Sequence, residues 1–244
     1  LSLVVDGPPA ALFAILGGAS AVLATRGRVA RHGPWGAAAS LWARGAVLIA
    51  VGVLLDLVPG PVVIVLVPFG VTLLLLPAFL PMRSKHLLVA ILVLALAGPL
   101  ANHAVRDALS LNTLGELSFA SPAAFLHSVL FTGTYPVVTW LTYSLIGVVM
   151  IRALLRAQER GTTRALGRRL LGWGLAASAL AGVLSLVQVQ LSLVPRLEGQ
   201  GFSPLTTHLF ALMPSFGGPL GGGLDALLIA APHSGSTGDI VRTA

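Results

Sequence analysis

The sequence predicts an all-α fold, a polytopic transmembrane helix bundle, and three observations lead to it. Of its 244 residues, 56% are hydrophobic and only 9% are charged, whereas a soluble domain carries roughly 25% charged residues. So little charge cannot cover the surface of a water-soluble domain of this size, so lipid must serve as its solvent. The apolar residues fall in runs close to the ~20 residues that a helix needs to span a ~30 Å hydrocarbon core. Leu, Ala and Val fill those runs without polar alternation, which favours helices over barrel strands. Basic residues, finally, gather in alternate connections between the runs, as they do in a chain oriented across a membrane.

Six segments meet the length requirement: residues 8–25, 40–58, 62–80, 87–104, 135–155 and 170–191. The first is followed by Arg26, Arg28 and Arg31, and the second opens near Arg44 and ends near Asp56. After the third come Arg83 and Lys85; the fourth ends at His103, with Arg106 and Asp107 close behind. Pro136 suits the first turn of the fifth, where a missing N–H costs nothing, and Trp140 and Tyr143 are expected to anchor that end at the interface. The sixth carries the small-residue run 172–178, suited to close helix packing. Two outer stretches are interrupted. Residues 123–131 are too short to span, and 200–244 hold the short apolar pieces 205–213 and 224–231 among Gly and Pro. Broken segments persist at membrane depth only where protein or a water-filled cavity surrounds them, so 200–244 is a candidate cavity wall.

Charge sets the orientation. Arg26, Arg28, Arg31, Arg44, Arg83, Lys85, Arg152, Arg156, Arg160, Arg164, Arg168 and Arg169 fall on one side, twelve of the fifteen basic residues. That side is expected to be cytoplasmic and the protein a multi-pass resident of the cell membrane. Asp6, Asp56, Asp107, Glu116, Glu198, Asp225 and Asp239 then lie toward the outer face, with His103, His127, His208 and His233. The net charge of +7 and the pI near 11.5 therefore orient the chain, and nucleic acid is not an expected partner. The sequence has no cysteine, which removes disulfides, thiolate metal sites and a thiol nucleophile. It has no HExxH or comparable spacing, so no metal is expected, and the glycines of 217–223 lack the strand and GK[ST] of a phosphate loop. The chain starts at Leu1, without Met, and stops at Ala244 without a polar tail. It is therefore expected to be a single membrane domain over 1–244, part of a longer chain with further helices at both ends.

Three side chains stand out chemically. His233 follows Pro232, neighbours the Ser234 hydroxyl and precedes Gly235, a setting that could hold a neutral imidazole toward an outer cavity as a general base. His127, in the first interrupted stretch, is a second catalytic candidate. Arg44 sits shallow in its segment: it either snorkels to the interface or binds an anionic group entering from the cytoplasm, such as a lipid phosphate or the phosphates of an acyl donor.

The order Gly133, Pro136, Trp140, Tyr143, Gly147 resembles a stretch of YeiB-like membrane proteins, of the same broad superfamily as the heparan-α-glucosaminide N-acetyltransferases and the acyltransferase type 3 membrane enzymes. The glycine-bearing run 11–23, Trp42 to Gly45 heading the next segment, and Pro232 to Thr237 are similar in the same order. The helix with Leu-Asp-x-x-Arg-Gly that such proteins carry near their start has no counterpart here: Ser40 and Leu41 stand where Leu-Asp would precede Arg44-Gly45. The resemblance implies an acyltransferase that moves an acyl group from cytoplasmic acyl-CoA, with no bound cofactor, to an extracytoplasmic acceptor. A transporter-like protein and a non-catalytic accessory subunit are the alternatives, and a homo-oligomer or a larger membrane complex is an expected assembly. The basic inner face suits a phosphate-rich donor, and the outer histidines and carboxylates suit activation of an acceptor.

Overall fold

A computed structural model describes residues 8–56, 65–111 and 117–244, and every regular element among them is helical. In order they are α1 (Pro8–Asp56), α2 (Leu66–Phe79), α3 (Ser84–Ala108), α4 (Pro122–His127), α5 (Val137–Glu159), α6 (Thr163–Gln188), α7 (Val194–Glu198), α8 (Pro204–Ala211), α9 (Leu224–Leu228) and α10 (Thr237–Thr243). Single π-helical turns, Ser128–Thr132 and Val189–Leu193, follow α4 and α6. Among the described residues four helices are long and apolar enough to cross a membrane: α1, α3, α5 and the stretch Thr163–Glu198. Asp6 and Glu116 lie outside the described residues.

The count differs from six for physical reasons. The first two predicted segments are one helical stretch of 49 residues, broken at Gly33, whose φ of 70° and ψ of 178° are non-helical. That region is essentially open to glycine alone, and Pro34 beside it supplies no N–H. The chain folds back here. Ser20 and Ala21 before the break line one cavity with Leu41 and Arg44 after it, although Ala21 and Leu41 would stand about 30 Å apart on a straight helix. The basic connection predicted as a loop is therefore helix up to a sharp corner. The third predicted segment is described only from residue 65, and α2, its described part, has 14 residues, about 21 Å of the span.

α5 is the central helix. Of its most apolar stretch 56% is buried by the rest of the chain, against 6% for Thr163–Glu198. Leu141, Leu145 and Val148 of α5 meet Ala21, Val22 and Leu41 from both arms of α1, Leu73 and Leu76 of α2, and Leu87 of α3. Glycines set these distances. A Cβ on Gly18 would lie 1.9 Å from the Ser144 carbonyl oxygen, and one on Gly147 1.9 Å from that of Ile15, so the backbones of α1 and α5 nearly touch. The run 172–178 behaves otherwise: nothing lies within 4 Å of a Cβ built on Gly172 or Gly174, and Trp173 is exposed. Among the described residues its two glycines make no close approach, and at the other end of the run Ser178 Oγ donates to the Arg242 carbonyl of α10 at 3.0 Å.

Candidate functional site

The site grows from the start of α5. The Pro136 carbonyl accepts from the N–H groups of Thr139 and Trp140, which opens the helix, and Pro136 stands just before its first turn. Trp140 and Tyr143 do not anchor an interface. Both are buried, because one helical turn carries them inward to face α1: Trp140 packs edge-on against Phe13, Phe69 and Tyr135, and the Tyr143 hydroxyl shares a 2.7 Å hydrogen bond with that of Thr243 on α10. Tyr135 packs edge-on against the His233 imidazole at 5.9 Å, and Phe216 stacks on that ring at 6.3 Å.

His233 has a φ of 58°, a left-handed conformation uncommon outside glycine. Hydrogen bonds enforce it: the Ser215 N–H donates to the Pro232 carbonyl at 2.8 Å and the Gly217 N–H to the His233 carbonyl at 2.6 Å. Gly217, with a φ of 79°, fits because a Cβ there would meet the Gly133 carbonyl oxygen at 2.0 Å. Asn102 of α3 donates to the Gly217 carbonyl, while Arg106 donates to Asn102 and to the Thr132 carbonyl, tying the ends of α3 and the π-helical turn to this loop. The Ser234 hydroxyl turns away, donating to Ser236 Oγ at 3.1 Å.

Together Tyr135, Thr139, Tyr143, His233, Asp239 and Thr243 border a cavity of about 30 Å³, enough for a water molecule. Asp239 is its buried charge-bearing group. Oδ2 accepts from the Gly235 N–H at 3.1 Å, and the Asp239 N–H donates to the capping hydroxyl of Ser236 at 3.0 Å. Oδ1 is buried with no hydrogen-bond partner among the described residues. Burial pushes the carboxyl up to about 7, against the Gly235 hydrogen bond and the charge of Arg242.

The other predicted residues lie apart. His127 pairs through Nδ1 with Thr132 Oγ1 at 3.2 Å and is not among the residues bordering this cavity. His208 Nδ1 lies 2.8 Å from the Pro204 carbonyl of its own helix. Arg44 is exposed and borders a cavity of about 490 Å³ with Ser20, Leu41 and Phe69. A third cavity, of about 590 Å³, lies at the basic end between both arms of α1, the end of α2 and the end of α5; Arg26, Arg152, Arg156 and Glu159 border it. Arg152 is anchored by donating to the Leu80 and Met82 carbonyls. Among the described residues no three His, Cys, Asp or Glu side chains come together to hold a metal.

Sequence reasoning missed Asp239 and this arginine cluster. The acidic residue was visible only as one of several outer carboxylates, and the arginines only as an orientation signal. Comparison with family models, curated proteins and solved structures finds no match.

Proposed function

We propose that this chain is a multi-pass cell-membrane protein of the YeiB-like kind that transfers an acyl group from acyl-CoA, arriving at the basic end, to an acceptor at the opposite end. On this reading the chain crosses six times, with both arms of α1 as separate crossings and the Arg-rich connections cytoplasmic. One observation carries the chemical part: a histidine held in an uncommon backbone conformation borders a small cavity with Asp239 and Tyr135. Such strain gathers at functional sites, and a neutral imidazole is a suitable base near physiological pH.

In this scheme His233 takes the proton of an acceptor hydroxyl or amine as its oxygen or nitrogen attacks the thioester carbonyl. The new bond joins acceptor to acyl carbon, the C–S bond breaks, and the sulfur leaves as the coenzyme A thiolate. The proton passes from His233 to water. Tyr135 and Phe216 hold the ring in place. Arg44 remains a candidate contact for the donor's phosphates, and His127 a second candidate base. The test compares His233→Gln and His233→Ala with the parent at matched membrane abundance, following thiol release from acyl-CoA. Turnover falling at least about a hundredfold in both, with donor binding retained, is the expected result; parental turnover in either variant overturns it.

A transporter-like reading draws on a different observation, the orphan Oδ1 of Asp239 on a water-sized cavity. A buried carboxyl that gains and loses a proton near neutrality suits proton coupling. Proton flux in proteoliposomes, abolished by Asp239→Asn, is its expected signature, and parental vesicles without flux end it.

A further inference from the structure

The cavity at the basic end has its own chemistry. Three guanidinium groups and one carboxylate border it, so positive charge is in excess. Arg152 is committed to two backbone carbonyls. Arg26 and Arg156 have no hydrogen-bond or ion-pair partner among the described residues, and Glu159 stands within ion-pair distance of neither. Bringing like charges to one concavity is unfavourable unless an anion joins them, since a concave low-dielectric wall strengthens their mutual field.

The remaining lining is apolar. Val22 and Val29 of the first arm of α1, Leu80 after α2 and Leu155 of α5 border the cavity together with the cations. Trp35, next to the bordering Pro34, is 77% exposed, and Trp42 donates its indole N–H to the Leu74 carbonyl. Exposed tryptophans mark headgroup depth. The volume of about 590 Å³ lies within the range of ligand pockets.

We infer that this cavity binds the phosphate of an anionic amphiphile, with Arg26 and Arg156 gripping the phosphate and the alkyl chain lying along Val22, Val29, Leu80 and Leu155. Arginine matches the geometry of phosphate oxygens, and the paired arrangement distinguishes the site from a snorkelling residue such as Arg44. The occupant's phosphate comes either from a membrane lipid or from an acyl-CoA. The site rests on charge and shape and does not depend on acyl transfer; an acyl-CoA occupant would locate the donor of that reaction at Arg26 and Arg156.

The purified full chain, in discs of zwitterionic lipid, is titrated separately with dioctanoyl phosphatidic acid, octanoyl-CoA, dioctanoyl phosphatidylcholine and inorganic phosphate. Saturable binding of phosphatidic acid, octanoyl-CoA or both is expected, weaker by about tenfold in Arg26→Gln and in Arg156→Gln and by more in the double variant. Arg160→Gln, on the same face but outside the cavity, should bind as the parent does, and each variant's thermal midpoint identifies loss through misfolding. Preference for phosphatidic acid identifies a lipid site, and preference for octanoyl-CoA a donor site. Equal binding of phosphatidylcholine, equal loss in Arg160→Gln, or undiminished binding by a folded double variant overturns the proposal. Because no transfer is measured, this failure is separate from a failure of the His233 experiment.

Discussion

Asp239 carries an energetic consequence that a sequence alone would not assign. Its carboxyl is pushed up to about 7 by burial, while an unfolded Asp titrates near ~3.9. Between those values the folded protein holds a proton that the unfolded chain has released, so stability falls as pH rises from about 4 through about 7. Asp239→Asn keeps the size and the neutral form. In detergent, its thermal midpoint should match the parent near pH 4 and exceed it near pH 8; a parental midpoint that does not decline across that window contradicts a buried neutral carboxyl. His233 sits beside this group, so a stability profile and a turnover profile can be compared on one cavity.

Among the elements, backbone contact between α1 and α5 is the feature most open to test. Gly18 and Gly147 allow Ser144 Oγ to donate to the Ala14 carbonyl at 3.1 Å, and a larger side chain would have to push backbone aside. Overpacking of this sort costs ~1–3 kcal/mol or more. Gly147→Leu should sharply reduce folded yield on size-exclusion chromatography, while Gly172→Leu, in open space, should leave it near the parental level. Equal yields would mean that the two helices are not in contact. The corner at Gly33 obeys the same logic through its dihedral angles, because a side chain is disfavoured at that φ and ψ.

At the scale of the whole molecule, the two ends differ in chemistry. Arg26, Arg152 and Arg156 border one cavity, whereas His233, Asp239 and Tyr135 border another. Orientation follows if the basic end is cytoplasmic, and the chain's lack of cysteine makes the test clean. Arg28→Cys and Thr162→Cys should resist an impermeant maleimide in intact cells and react after permeabilisation, while Phe202→Cys, exposed near the other end, should react at once. Labelling of Thr162→Cys in intact cells would invert the orientation.

Helix content and membrane character were legible from the sequence by itself, because both depend on local composition: an apolar run satisfies its backbone internally wherever it lies. The cavity-wall reading of residues 200–244 rests on Gly and Pro interrupting the apolar pieces 205–213 and 224–231, whereas the residues of that region that border the water-sized cavity, His233, Gly235, Asp239 and Thr243, lie outside both pieces. Tertiary structure decided the rest. Trp140 has the composition of an interfacial anchor, yet the turn it occupies faces α1 and buries it. The small run 172–178 has the composition of a packing face, yet its Gly172 and Gly174 meet open space, while Gly18 and Gly147, half the chain apart, let α1 and α5 touch. Arg26 and Arg156 lie equally far apart in sequence and border one cavity because the first arm of α1 packs along α5, where Gly18 and Gly147 let the backbones approach. Local hydropathy records what solvent a segment prefers, whereas a site needs side chains from distant segments to converge, and only packing brings them together.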